Sequence, residues 1–521
     1  MSQSAHPSRG FLMANLSVGL GTLLCRVTGF GRILALAYAI GLGGLSDVYN
    51  TANTTPNIIY ELMLGGILSA TLLPSFVRYL KDNDHQAISA ILSVTTILLG
   101  ALTLIMVLAA PLVMDMYSIT RQENVYQFHA VGVHLVQLFM PQIFFYGLVS
   151  MATALLNAQH KFALPAYVPI LNNLVVIGIL LALPSLFGAV TLDTASQSIP
   201  LILYLGAGTT LGIAISAMAL IPAVLKSGLR LSFSPDWTHP AVKGVLRLSG
   251  WTFGYVAANQ IALFLVSLLA LRTEGWMTAY QTAFAFFVLP HGLLAMTITT
   301  TFLPKIAHDA ASTDMVGFRR KMMQGLELLA LLMLPASVGY MMIAKPLLVA
   351  LLAHGQFTVA AAHLTGDTLS MFALGLLPFS AYLFLLRGFY ALSDTKTPFQ
   401  LNCVENLINI ALAVPFVMMW GVAGLALSYS LSYCAAAALT FMTLRRRVGG
   451  GMGSTKTLHY LAQISLATAL MALVVAIVLY CTTGMSVIVQ VVTSVGLGAV
   501  VYATIIVAWK VVNVRALLRR S

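Results

Sequence analysis

The sequence predicts an all-α integral membrane protein of about fourteen transmembrane helices, two six-helix lobes plus a C-terminal helix pair. Three observations predict it. Charged residues make up only 8% of the 521 and hydrophobic residues 59%, with a mean hydropathy of +0.91. A soluble domain carries about 25% charged residues, so a surface this poor in charge requires lipid as its solvent. The apolar residues are also gathered into stretches of the roughly 20 needed to span a bilayer. Finally, the basic residues fall on one side of the resulting topology.

In chain order the stretches centre near Thr28, Met63, Leu99, Phe144, Val175 and Ile213, then Leu263, Val288, Leu334, Leu377, Ile410 and Ser430, and finally Leu470 and Gly498. The links near Gly421 and Gly484 are just long enough for hairpins. With the N-terminus in the cytoplasm, only Arg121, Arg272 and Lys345 of the 27 Lys and Arg residues lie in outer loops. Arg26, Arg32 and Arg387 lie within spans, and all others on the cytoplasmic side. This is the positive-inside pattern. It gives an even number of spans with both termini cytoplasmic. The net charge of +12 therefore reflects topology and contact with anionic headgroups, not nucleic acid. The bilayer itself is the first partner implied.

Residues 1–13 read as a polar cytoplasmic tail, 14–235 as the first lobe, 236–448 as the second, 449–512 as the final helix pair and 513–521 as a basic tail. The first helix carries two arginines and no small-residue cleavage site, so it is expected to be a span rather than a cleaved signal. The glycine-rich link with Gly449, Gly450, Gly451 and Gly453 sets off the last pair. A weak internal repeat supports two lobes. Tyr49-Asn50-Thr51-Ala52 followed by Pro74 matches Tyr280-Gln281-Thr282-Ala283 followed by Pro304. Pro165 with Asn172-Asn173-Leu174 and Ile177 matches Pro398 with Glu405-Asn406-Leu407 and Ile410 at a constant offset of 233. Internal repeats are the common architecture of secondary transporters.

Intramembrane charge marks candidate function, because an arginine at mid-bilayer costs about 2.5–3.5 kcal/mol on insertion scales. Arg26 and Arg32 lie in the first helix, with Arg32 about 9 Å further along the axis. Arg26 is near enough to the cytoplasmic end to snorkel; Arg32 is expected to face a cavity. A guanidinium suits a phosphate because its donors grip two oxygens at once. The second helix begins with Asp47, where an acid also complements the helix dipole. Asn50, Asn53, Asn57 and Glu61 follow and suggest one wetted face. Pro56 is expected to kink or break this helix, with Gly65 and Gly66 as a hinge or close-approach point. In the eleventh helix Asn402, Glu405, Asn406 and Asn409 share one face by their spacing. That stripe either pairs with Arg387 or offers oxygens to a cation. Asn172 and Asn173 read as interhelical hydrogen-bonding groups. Cys25, Cys403, Cys434 and Cys481 read as small core residues without metal-ligand spacing. No Walker A loop and no HExxH zinc motif is present, and the histidines are scattered, so the reading is a transporter and not an enzyme, with no cofactor.

These residues carry a family likeness. Arg26-Val27-Thr28-Gly29-Phe30-Gly31-Arg32, the stretch from Asp47 to Asn57, Leu156-Asn157-Ala158 through Asn173, His354-Gly355-Gln356-Phe357-Thr358 and Arg387-Gly388-Phe389-Tyr390-Ala391-Leu392-Ser393-Asp394-Thr395-Lys396-Thr397-Pro398 stand in family order. The chain resembles the MurJ (MviN) lipid II flippases, within the multidrug/oligosaccharidyl-lipid/polysaccharide exporter superfamily. The resemblance implies a cationic central cavity, a groove on the last two helices for an undecaprenyl tail, and lipid II as substrate in cell wall biogenesis. It implies that Arg32 holds pyrophosphate and that Asp47 acts at an outer gate. It also implies coupling to membrane potential or Na+ in some members, for which Asn402 and Asn406 are weak sodium candidates, and a setting among cell-wall synthesis and division proteins. Two positions depart from the family: Tyr60 and Thr282 stand where many members have cavity arginines. Export of another lipid-linked oligosaccharide, drug/cation antiport and a non-transporting scaffold role are the competing readings.

Overall fold

Helices account for every regular element among the described residues, as expected of a chain that must satisfy its backbone polar groups inside lipid. A computed structural model describes residues 9–62, 68–229, 231–247 and 250–511. Its helices are α1 (Arg9–Ile40), α2 (Gly44–Tyr60), α3 (Leu68–Lys81), α4 (His85–Leu108), α5 (Ala110–Ser118), α6 (Val125–Phe139), α7 (Pro141–Ala158), α8 (Ala163–Phe187), α9 (Leu192–Gln197), α10 (Ile199–Leu225), α11 (Pro240–Arg247), α12 (Gly250–Ala270) and α13 (Trp276–Pro290). A π turn (His291–Ala295) leads into α14 (Met296–Ala311). Then come α15 (Met315–Leu352), α16 (Val359–Ala373), α17 (Leu376–Ala391), α18 (Lys396–Arg447), α19 (Thr455–Cys481) and α20 (Val487–Ala508).

Ten of the described helical spans are long and apolar enough to cross a bilayer, and the pair α16–α17, bent by 47°, makes eleven. The 52-residue α18 is two spans. Residues 27 apart on a straight helix would be about 40 Å apart. Here Ser432 Oγ lies 2.8 Å from Glu405 Oε1, so the chain folds back, at Gly421 (φ 59°, ψ −142°). Every span centre read from the sequence falls in a described helix except Met63, which lies outside the described residues. So do Gly65, Gly66, Arg230, residues 1–8 and the basic tail from 512 on. α1 starts at Arg9, inside the stretch read as a polar tail.

The chain forms two compact units. The first takes in residues up to Gln260 with Leu271–Gly275 and Gly355–Phe357. In it α8 packs between α1 and α10, α7 against α3, α4 and α10, and α2 against α6. Asn173 donates to Thr28 Oγ1 (3.1 Å) and to Cys25 O (3.3 Å), so it bonds α8 to α1 as its sequence setting suggested.

The second unit holds Ile261–Ala270, Trp276–His354 and the chain from Thr358. Its 38-residue α15 packs against α14, α16, α17, α19 and α20. Phe284, Phe287, Phe372, Phe379, Tyr429 and Tyr433 form a continuous ring-on-ring core. Cys434 and Cys481 are exposed, not core residues, because they sit on outward faces of their helices.

Local geometry within each unit repeats along the sequence. Asp84 and Asp314 cap α4 and α15 by accepting from the backbone N–H of Ala87 and Gly317, each at 2.8 Å. Each follows a residue with positive φ, Asn83 (54°) and Thr313 (58°). The turns before α8 and α18 likewise carry His160 (φ 61°) and Ser393 (φ 58°), at the 233-residue offset of the sequence repeat.

Candidate functional site

α2 starts at Gly44 and places Asp47 in its first turn, where a carboxylate meets the free N–H groups and the positive end of the helix dipole. The acid does more than cap. Its Oδ2 accepts from the backbone N–H of Gly275 (2.6 Å) and lies 3.5 Å from Arg121 Nη1, with both side chains fully buried. Arg121 Nε donates to Glu123 O (2.8 Å), and its guanidinium sits 4.3 Å from the centre of the Phe128 ring. Glu274 extends the cluster: Gly44 N–H donates to its Oε1 (2.5 Å), Asn124 Nδ2 to its Oε2 (3.2 Å), and its own N–H donates to Glu123 Oε2 (3.3 Å). Gln122 N–H donates to Arg272 O at 3.2 Å. The segment Leu271–Gly275 is thus fastened within the first unit by hydrogen bonds, one of them to the carboxylate of the buried Asp47–Arg121 pair. The sequence placed Arg121 in a loop and gave it no role. The only signal was its position as one of three cations against the positive-inside pattern.

The amides of α2 are less wet than their number suggested. Asn53 is only 7% exposed, and its Oδ1 accepts from Gln142 Nε2 (3.3 Å). Gln142 also reaches Thr210 Oγ1 (3.3 Å), and Tyr146 OH donates to Gln142 Oε1 (3.4 Å). Asn50 and Asn57 are half-buried, and Glu61 is exposed. Pro56 does not end the helix, which runs on to Tyr60 before a turn with π character. In α1, Arg26 is exposed and Arg32 half-buried. The charge of Arg32 lies within electrostatic range of the Tyr49 and Tyr146 hydroxyls. Tyr49 OH in turn shares a 2.8 Å hydrogen bond with Thr209 Oγ1. Arg32 therefore stands near tyrosine hydroxyls of α2 and α7. Tyr60 tucks its ring against Tyr146 (centroids 5.4 Å apart).

In the second unit the predicted stripe on α18 is real and buried: Asn402, Glu405, Asn406 and Asn409 all face inward. Two of its members find partners on the return arm of the same hairpin. Ser432 donates to Glu405 (2.8 Å) and Ser428 Oγ to Asn409 Oδ1 (3.0 Å). Arg387 is exposed on α17, and among the described residues no ion pair joins it to Glu405. The pairing alternative is thereby corrected: the Ser432 hydroxyl, not a guanidinium, bonds the acid. Asn406 Nδ2 donates to Asn402 O (3.0 Å). The side-chain oxygens of this buried stripe are donors of the kind a hard cation takes, so the residues fit a sodium ion in type. Thr282 is buried on α13.

The final pair, α19 and α20, forms an apolar groove of about 490 Å³, with α15 as its third wall. Leu331, Tyr340, Met471, Val475, Gly498 and Tyr502 line it. Tyr502 OH donates to Leu331 O (2.7 Å) and so ties α20 to α15. The sequence indicated the pair but not the contribution of α15.

Comparison with known proteins gives a consistent result. A family model described as "Lipid II flippase MurJ" matches residues 36–496. A probable lipid II flippase MurJ of Vibrio cholerae is 26% identical over 479 residues, covering 89% of this chain and 88% of the relative. The lipid II flippase MurJ of Burkholderia cenocepacia is 26% identical, covering 83% and 84%. Among solved structures, a lipid II flippase MurJ in an inward closed conformation superposes with a TM-score of 0.79 at 20% identity, covering 96% of this chain and 99% of that one. An inward-facing multidrug resistance MATE family transporter of the MOP superfamily gives 0.66 at 13% identity, covering 84% and 98%.

Proposed function

The chain belongs to the MurJ lipid II flippase family, and from that premise we propose that it carries lipid II from the inner to the outer leaflet of the bacterial plasma membrane by alternating access. The observation that carries the reading is Arg32: a guanidinium, half-buried in a membrane-spanning helix, within electrostatic range of the Tyr49 and Tyr146 hydroxyls of α2 and α7. A pyrophosphate offers the paired oxygens that this donor set grips. Arg26, about 9 Å away along the axis, meets the lipid headgroup on entry. The apolar groove of α15, α19 and α20 takes the polyprenyl tail, which burial against apolar walls stabilises.

Both termini are cytoplasmic in this reading, because that orientation puts the basic loops inside. Asp47, Arg121 and Gly275 then lie toward the outer face, and parting Asp47 from the Gly275 amide is the step that frees the segment Leu271–Gly275. Transport alternates between states in which this latch is made and broken. The cavity residues orient and release a lipid without covalent chemistry.

The test is genetic depletion followed by measurement of lipid II exposed at the outer face of spheroplasts, with complementation by wild type or Arg32→Ala. Loss of a charge-assisted grip costs about 1.5–3 kcal/mol, so Arg32→Ala restores exposure at one-tenth of the wild-type rate or less. Full rescue by Arg32→Ala refutes the phosphate-holding role. Unchanged exposure on depletion favours the second reading, export of another lipid-linked oligosaccharide, which the uncharged Tyr60 and Thr282 support.

A further inference from the structure

We propose that the second unit carries, at the end where α15 begins and α18 finishes, a structural site for one anionic glycerophospholipid. Its phosphate lies among Arg319, Arg320 and Lys456, and an acyl chain lies in an adjoining apolar groove. A cavity of about 450 Å³ is lined by these three cations with Gln324, Glu327 and the backbone of Gly451 and Gly453. A second cavity of about 610 Å³ shares Met323, Glu327, Ser454 and Thr457 with it. The walls of the second are apolar, from Leu326, Leu385, Phe441, Leu458 and Leu461, with Arg445 at its edge. A basic mouth continuous with an apolar channel matches the two halves of a charged lipid.

Arg319 is set in place before any ligand arrives. Its Nε donates to Met315 O (3.0 Å) and its Nη1 to Gly450 O (3.3 Å). A guanidinium has five donors, so others remain for a phosphate. Gly451 makes the arrangement feasible: its φ is +71°, and a Cβ there would stand 2.7 Å from Arg319 Nη1. Glu327, the one acid in the cavity, accepts from Thr457 Oγ1 (2.7 Å). Among the described residues no ion pair claims Arg319, Arg320, Arg445 or Lys456. The cations therefore outnumber the local acid, and an anion completes the site. A soluble anion would leave the apolar channel without an occupant; a phospholipid fills both. Clusters of Lys and Arg beside membrane-spanning helices attract anionic lipids. Only the leaflet, the inner one, depends on the orientation proposed above.

The experiment is native mass spectrometry of the full-length protein in detergent, titrated with palmitoyl-oleoyl phosphatidylglycerol or its phosphatidylethanolamine counterpart. Wild type is expected to retain one phosphatidylglycerol in preference to phosphatidylethanolamine. Each cation weighs roughly fivefold in affinity, so R319Q/R320Q/K456Q should bind phosphatidylglycerol on the order of a hundredfold more weakly. Leu458→Trp, which narrows the channel and leaves the charges, should also lose the bound lipid, and it provides the test if the triple variant fails to fold. Equal retention of the two lipids, or undiminished binding by these variants, overturns the proposal. So does one-for-one displacement of phosphatidylglycerol by a polyprenyl pyrophosphate, which would assign the site to the substrate. Retention is read without flipping, so a failure of the flippase reading leaves this result distinct.

Discussion

Replacing Arg121 by methionine keeps most of the side-chain volume and removes the cation facing Asp47. The two groups are 3.5 Å apart and wholly buried. At an effective dielectric constant near 20, that separation corresponds to about 5 kcal/mol of Coulomb attraction, partly offset by desolvation. Removing one partner of a buried pair typically costs about 3–5 kcal/mol, because the other charge stays buried without compensation. The same geometry predicts the cure. Asp47→Asn removes the orphaned charge, so the double variant should recover most of the loss. The measurement is unfolding free energy in mixed micelles for wild type, both single variants and the double variant, closed as a double-mutant cycle. A loss below about 0.5 kcal/mol for Arg121→Met, or a double variant as unstable as that single variant, would refute the reasoning.

Two further outcomes are expected. Gly421→Val should destabilise the protein by about 1–3 kcal/mol, since φ +59° is strained for a side chain and a Cβ would meet Trp276 Cζ2 at 3.0 Å; unfolding in the same micelles checks it, and a neutral result would dispute the hairpin geometry. At Asp394, in the turn before α18, burial raises the carboxyl pKa, but bonds from the Thr397 N–H and Oγ1, with the charge of Arg447, outweigh it and hold the pKa below its usual value. That stabilisation is present above the unfolded value of about 3.9 and is lost as pH falls through the lower folded value; melting temperatures of wild type and Asp394→Asn should therefore converge in that acid window, and a pH-independent gap would dispute the assignment.

The fold was legible because lipid imposes a simple code. Twenty apolar residues and a one-sided distribution of cations locate spans without tertiary information. The α18 stripe was legible for a similar reason, since helical spacing alone puts Asn402, Glu405, Asn406 and Asn409 on one face. What pairs with that face was not, because Ser428 and Ser432 lie beyond a hairpin and resemble any other small residue of an apolar run. Arg121 was missed because its partner lies far away in sequence. Exposure was the other blind spot. Asn53 and Arg387 are both polar residues in spans, yet one is buried against Gln142 and the other exposed, and periodicity alone does not tell which way a polar residue turns when neighbouring helices are unknown.

The α18 hairpin has a consequence for how the chain enters a bilayer. Alone, its first arm would expose the carboxylic acid and three amides that the folded hairpin buries, a set that on insertion scales opposes partition of that arm. The hydroxyl partners of Glu405 and Asn409 arrive only with the second arm, after a reversal at Gly421 too tight to leave a polar loop between the two. The two arms are therefore a single unit of biogenesis, released from the insertion machinery together. Truncation between Gly421 and Ser432 should strand the first arm outside the hydrocarbon.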